Sequence, residues 1–227
     1  EVEIADSPEA AAAKADAVLL ESVDGRVHRA QFEKIAPFGK PVFIDKPFAL
    51  STADAEAIVN LSESHGARLM SCSSLRYAAG LTGALSDTSQ GALIGADFFG
   101  PMSIEPTQPG FFWYGIHTAE MLVSALGSGI EKVEVTNNAD HDLLVATWRD
   151  GRIGTLRGNR KGNIKFGGVL HREEGSTFID VYAHPKPSYA SLLEVILPFF
   201  RTGQPPFPLT ETLEIVRLLE RANALRK

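Results

Sequence analysis

An amine and an imidazole are the two groups in this sequence best suited to handle a proton at a reacting oxygen. The amine is Lys46, which closes a short apolar run, Val42-Phe43-Ile44, entered through Gly39-Lys40-Pro41 and left through Asp45-Lys46-Pro47. A run of this kind reads as a buried parallel strand, and in open α/β sheets ligands sit in the crevice outside the carboxyl ends of the strands. Pro47 biases Lys46 away from helical φ/ψ, so the chain bends there before Ser51 caps a new helix. A cis Lys46–Pro47 bond is a further expectation. The imidazole is His117, in Trp113-Tyr114-Gly115-Ile116-His117-Thr118-Ala119-Glu120. An imidazole titrates near neutrality and suits a general base, while an ammonium beside a carbinol oxygen stabilises alkoxide character. Each group has a plainer reading. A lysine at a strand end is commonly a solvated charge, and His117 with Glu120, three apart on one helix face, could be a hydrogen-bonded pair at the edge of a core. No third ligand is spaced to complete a metal site with them, so no metal is expected.

The elements that must carry these groups fall into two patterns. Pro8 to Ala15 reads as a helix behind Ser7, Asp16 to Leu20 as a buried strand, and Arg26 to Phe38 as the next helix. The strand 41 to 45, a helix from Ser51 to His65 stopped by Gly66, and a strand from Ala67 to Cys72 complete the series. Strands separated by crossovers of this length make a right-handed parallel sheet. From Ser73 the pattern changes. After a helical segment to about Ser86 and a strand over 91 to 102, Phe111 to Leu126 reads as a helix, followed by alternating runs at 131 to 137, 142 to 149, 152 to 159, 164 to 171 and 177 to 183. Asp150-Gly151 marks a hairpin turn. Strands without intervening helices predict a mainly antiparallel sheet, and helices over 188 to 202 and 210 to 225 end the chain. The fold class is therefore α/β plus α+β. The domains are expected at 1–74 and 75–227, with the last helix packing back on the first domain.

Composition narrows the function classes. Among 227 residues, 44% are apolar and 22% charged, as in ordinary globular proteins, and the net charge of −6 argues against a nucleic-acid surface. The densest basic stretch, Arg149 to Lys165, is broken by glycines, so Arg157, Arg160, Lys161 and Lys165 are expected to decorate a sheet or touch a small anion. No apolar run approaches the ~20 residues of a membrane span, and no secretory leader is visible. Cys72, the single cysteine, reads as a buried thiol in a reducing, cytoplasmic compartment. The chain opens with Glu1-Val2-Glu3-Ile4, already inside a βα repeat, which suggests part of a longer chain.

The stretch Gly39-Lys40-Pro41-Val42-Phe43-Ile44-Asp45-Lys46-Pro47-Phe48-Ala49-Leu50-Ser51 resembles the signature of the Gfo/Idh/MocA family of NAD(P)-dependent oxidoreductases, with Asp45 where the family usually has Glu. Relatives commonly show Asp-x-Gly-x-His-x-x-Asp at the second motif. Gly115, His117 and the acidic Glu120 match it, and Trp113 stands where the first Asp would be. The resemblance implies the later strands of a Rossmann domain, with the Gly-x-Gly-x-x-Gly turn upstream of Glu1. It also implies NAD or NADP as cofactor, and hydride transfer to or from a sugar, cyclitol or related polyhydroxy substrate. Lys46 and His117 would be the catalytic pair, with Ser22, Asp45 and Arg76 bordering the cofactor. His28 falls where relatives have a histidine near the nicotinamide, and a helix-capping or surface role fits it equally. Tyr77, Trp113, Tyr114 and Glu120 would line the substrate. For Arg76 and Tyr77, at the domain junction, an interdomain ion pair is the plainer reading. His65, His141, His171 and His184 read as surface residues. Relatives pair through the carboxyl-terminal sheet, which implies a homodimer or homotetramer, with Asp180 to Tyr182 among the residues presented. Two rival readings are a dehydrogenase of a non-sugar carbonyl compound and a catalytically silent member that binds a ligand or partner.

Overall fold

The computed structural model describes residues 2–227. After helix α1 (Pro8–Lys14), three parallel strands β1 (Val18–Leu20), β2 (Pro41–Ile44) and β3 (Arg68–Met70) lie in that order, joined by α2 (His28–Ile35) and α3 (Thr52–His65). Val18 faces Val42, and Val42 faces Leu69. The helix starts are written locally: Ser7 Oγ accepts from Ala10 N at 3.1 Å, and Ser51 Oγ accepts from Asp54 N at 3.1 Å. Helix α2 ends before the expected Phe38. Pro37 has no N–H to return to the preceding turn, so Ala36–Phe38 tightens into a 3-10 turn.

Beyond a 3-10 turn at Ser74–Tyr77 and helix α4 (Ala79–Ser86), a six-stranded sheet forms. Its strands are β4 (Leu93–Pro101), β5 (Ile130–Asn137), β6 (His141–Trp148), β7 (Ile153–Asn159), β8 (Gly167–Arg172) and β9 (Ser176–Asp180), in the order β5-β6-β7-β4-β8-β9. Every neighbouring pair is antiparallel except β4 and β7, which run parallel. Helix α5 (Gly115–Leu126) and the β5–β6 hairpin together form the crossover between them. Two strands are shorter than expected. Residues 164 to 166 precede β8, and β9 stops at Asp180, which frees the following residues to form a loop.

Helix α5 is apolar on nearly every side and lies against the inner face of this sheet. Met121, Leu122 and Val123 are buried there with Phe98, Leu144, Leu156 and Leu170 in one core cluster, which continues to Val42, Ile44 and Leu69 of the first sheet. Helix α6 (Ser188–Thr202) covers the remaining face of the first sheet with Leu192, Ile196 and Phe199 on Phe43, Met70 and Cys72. Helix α7 (Leu209–Leu225) ties distant parts of the chain. Glu220 Oε2 accepts from Thr52 N (3.1 Å) and Thr52 Oγ1 (2.5 Å) at the start of α3, and Arg217 pairs with Glu56 (2.7 Å). On the same helix, Glu214 Oε1 accepts from Gly129 N (3.1 Å) and Ile130 N (2.6 Å), which fixes the turn after α5.

Among the described residues no layer covers the outer face of the six-stranded sheet. Ile153 and Phe178 are exposed on it, and a polar row crosses four strands. Asp97 accepts from Thr155 Oγ1 (2.5 Å) and meets His171 Nε2 (2.8 Å), whose Nδ1 lies 2.9 Å from Ser176 Oγ. Among the described residues no helix is long and apolar enough to cross a membrane.

Candidate active site

At the end of β2, Asp45 N donates to Leu20 O (2.9 Å), and the Lys46–Pro47 bond that follows is cis. Pro47, Phe48 and Ala49 turn inward and are buried, which leaves the partly exposed Lys46 on the bend. Its Nζ lies 5.8 Å from the centroid of the Trp113 ring, within cation–π reach. Lys46 also borders a small cavity with Cys72, Glu120 and Thr212.

His117 lies in the first turn of α5, its N–H bonded to Tyr114 O at 3.2 Å. The ring is held edge-on between Tyr114 (5.8 Å) and Phe166 (5.6 Å). Phe166 reaches it because residue 100 is glycine: a Cβ there would lie 2.3 Å from Phe166 Cδ1. Nδ1 is 2.7 Å from Ser73 Oγ. Burial, with a smaller contribution from the nearby charge of Lys46, pushes the imidazole down to about 3. His117 is thus neutral at ordinary pH, where the sequence reading gave it a value near neutrality. It opens onto a cleft of about 380 Å³ walled by Tyr114, Phe166, Tyr182, His184, Lys186 and Tyr189.

Beneath this cleft Arg76 and Glu120 are spent on each other. Arg76 Nε meets Glu120 Oε1 at 2.5 Å, Arg76 Nη1 meets Glu211 Oε2 at 2.8 Å, and the guanidinium lies 3.9 Å over Phe207. Glu120 Oε2 accepts from Ser73 N at 3.1 Å. Desolvation works against the Arg76 charge, but the two carboxylates outweigh it and hold the guanidinium charged. Desolvation raises Glu120, partly countered by Arg76.

Residues 1–72 match the Gfo/Idh/MocA family model, described as an oxidoreductase family with an NAD-binding Rossmann fold. Among curated proteins none matches the chain. Solved structures share the whole fold at low identity. UDP-N-acetylglucosamine 3-dehydrogenase GnnA from Acidithiobacillus ferrooxidans has a TM-score of 0.85 at 16% identity, over 99% of this chain and 82% of that one. The aldose-aldose oxidoreductase from Caulobacter crescentus has a TM-score of 0.76 at 16% identity, over 96% and 79%. The WlbA dehydrogenase from Bordetella pertussis, solved with NADH and UDP-GlcNAcA, has a TM-score of 0.75 at 19% identity, over 94% and 78%.

Several residues that the Gfo/Idh/MocA resemblance marks are placed differently from expectation. Arg76 and Glu120 lie in a buried ion cluster with Glu211, all three within 75–227, so the pair seen for Arg76 is not an interdomain one. His28 is fully buried and not a surface residue. Its Nδ1 lies 3.2 Å from Phe48 O and its Nε2 lies 2.7 Å from Ser22 O, so it clamps the loop after β1 to the loop after β2. Tyr77 packs on the α6 cluster, away from the cleft wall, and its phenol is raised chiefly by burial. Trp113 is stacked beside Lys46 and meets Tyr114 edge-on at 6.0 Å, and Tyr114 itself is on the wall. Lys46 does not border the cleft that His117 opens onto; Trp113 and Tyr114 link the two by contact. His184 and Tyr182 gain a neighbour that the sequence did not show. The loop freed by the early end of β9 brings both to the rim of the cleft while they stay exposed to solvent, so His184 is the surface residue expected and also a cleft residue. Ser73, Phe166 and Lys186 were missed. Only Ser73 had a signal, its place just past a strand's carboxyl end. Of the basic stretch, Arg160 pairs with Asp142.

The carboxyl edge of the parallel sheet suits the nicotinamide end of a dinucleotide. Glu21, after β1, is raised by desolvation and by Asp45 after β2, so two carboxylates crowd where a cationic ring would relieve them. Ser22 follows Glu21 in the loop, its Oγ donating to Gln31 Oε1 at 2.8 Å. Among the described residues no glycine-rich turn leads from a strand into a helix there. Gly127-Ser128-Gly129 follows α5.

Proposed function

We propose that the protein is an NAD(P)-dependent oxidoreductase of a sugar, cyclitol or related polyhydroxy compound, with Lys46 and His117 at the reacting oxygen and Glu21, Ser22 and Asp45 bordering the nicotinamide. The observation that carries this reading is a neutral imidazole, backed by Ser73 and within reach of the Lys46 charge, at the head of an aromatic-walled cleft. Tyr114, Phe166, Tyr182 and Tyr189 offer flat apolar faces to the C–H surface of a sugar ring, and the three tyrosine hydroxyls suit its edges. Relatives of the same fold are named for UDP-N-acetylglucosamine and for aldoses.

The bound nicotinamide supplies or accepts the hydride. In the reductive direction Lys46, its amine swung from the Trp113 face into the cleft, gives a proton from its ammonium to the substrate oxygen as the carbon gains hydride, leaving a neutral amine and an alcohol. His117 stays neutral and steadies the charge on that oxygen by hydrogen bonding. The oxidative direction reverses each step. The reading keeps the domains at 1–74 and 75–227 and a cytoplasmic location. It seats a second copy on the outer sheet face, where Ile153 and Phe178 are otherwise uncovered.

Titration with NADH and NADPH, with turnover measured on a panel of sugars and cyclitols, tests the assignment. Lys46→Ala is expected to abolish turnover and leave the far-UV spectrum unchanged; retained turnover refutes the role. One observation favours the silent member as second reading: the Lys46 amine rests on Trp113 and not in the cleft. Binding of sugar and cofactor without turnover by the unmodified protein would decide for it.

A further inference from the structure

Ser73 makes three hydrogen bonds, and together they leave its hydroxyl hydrogen one destination. The residue is buried, 1% exposed, and lies between β3 and the 3-10 turn at Ser74–Tyr77. Its backbone N–H donates to Glu120 Oε2 (3.1 Å), which Arg76 holds in turn. Its Oγ accepts from Leu75 N (3.2 Å) and lies 2.7 Å from His117 Nδ1. A serine hydroxyl has one hydrogen and two lone pairs, and a neutral imidazole has one N–H and one bare nitrogen. With Leu75 occupying a lone pair, two arrangements remain. If Nδ1 carried the hydrogen, it would donate to Oγ, and the hydroxyl hydrogen would have no acceptor among the described residues, at a site solvent does not reach. If Nδ1 is bare, the hydroxyl donates to it and every group is satisfied. The second arrangement puts the imidazole hydrogen on Nε2, which no other described residue engages.

We propose that Ser73 is a positioning residue that fixes His117 as its Nε2–H tautomer, so that the ring offers a donor, and not a bare nitrogen, to the substrate oxygen. The inference deepens the proposed function and rests on it for the identity of that oxygen. The tautomer itself stands on the Ser73 geometry alone. Its consequence is a division of labour. A donor at Nε2 polarises a carbonyl or steadies an alkoxide, and it cannot accept the proton of an alcohol, so that proton falls to Lys46. The cleft must also take ligands that present an acceptor at this point.

Nitrogen NMR of the protein labelled with ¹⁵N-histidine reads the tautomer directly, with His117→Gln used to assign the signals. At pH 7, Nδ1 of His117 is expected at a pyridine-type shift and Nε2 at a pyrrole-type shift. Ser73→Ala should replace this pattern by an averaged or reversed one, and Ser73→Thr should restore it. A pyrrole-type Nδ1 in the unmodified protein overturns the proposal, as does an unchanged pattern in folded Ser73→Ala. Should Ser73→Ala fail to fold, the unmodified protein and Ser73→Thr decide by themselves. On an active substrate, Ser73→Ala is expected to lower kcat by about a hundredfold with KM little changed, and Ser73→Thr to recover most of it. A correct tautomer in a protein that turns over no sugar would overturn the proposed function and leave this assignment in place.

Discussion

Replacing Glu120 with alanine should destabilise the protein by about 3 kcal/mol, the low end of the roughly 3–5 kcal/mol typical of breaking a buried ion pair. The carboxylate is 2% exposed and its guanidinium partner 8%. The substitution removes the 2.5 Å contact to Arg76 Nε and the 3.1 Å bond from Ser73 N. Arg76 does not lose everything: Glu211 remains at 2.8 Å and the Phe207 face at 3.9 Å, which is why the low end applies. The wild-type pair is also weaker than its short contact suggests, because burial raises Glu120 and offsets part of the attraction. Removing both charges should therefore cost less than removing one. In Arg76→Met/Glu120→Leu no guanidinium is left unpaired, apolar volume fills the gap, and Glu211, 19% exposed, can be hydrated. Urea unfolding followed by the fluorescence of the buried Trp148 measures these proteins together with the singles Arg76→Met and Glu120→Leu. A Glu120→Ala protein within about 1 kcal/mol of wild type, or a double variant whose cost equals the sum of the two singles, would refute the reasoning.

Two further outcomes follow from the same geometry. The unfolded imidazole of His117 binds a proton near 6.5, whereas the folded one does so only near 3, so the unfolded state gains a proton that the folded state refuses. Stability contributed by this residue is present above about 6.5 and is lost as the pH falls toward 3. Urea midpoints measured over this range should fall less steeply in His117→Gln than in wild type, and equal slopes would dismiss the burial argument. For assembly, sedimentation velocity is expected to show a dimer that Phe178→Lys shifts to monomer. A wild-type protein that sediments as a monomer at every concentration would remove the proposed interface.

Much of the fold was legible because its signals are local. Ser51 and Gly66 bound α3 by a side-chain cap and a left-handed turn, φ +66, and both can be read from the residues themselves. The parallel pairing of β4 with β7 was not legible, since α5 and a hairpin lie between them and nothing along either strand names its partner. The site divides in the same way. Lys46 could be found because a strand end and a proline mark it. Ser73 has no periodic pattern, and its role appears only when α5 crosses the end of β3. His117 and Glu120 show the limit of spacing arguments. Three residues leave them about 60° apart around a helix, which is enough for one to open on the cleft while the other lies in the core beneath it.

Helix α7 has a consequence for how the protein is made. The residues that satisfy Thr52 at the start of α3, and those that fasten the turn after α5, are Glu220 and Glu214. Both leave the ribosome after almost everything they hold. Until then the surface of α3 and the α5–β5 corner stay open to water and to chaperones, so a pause in translation before Leu209 would leave a nascent chain with its strands in place but its two sheets not yet locked together.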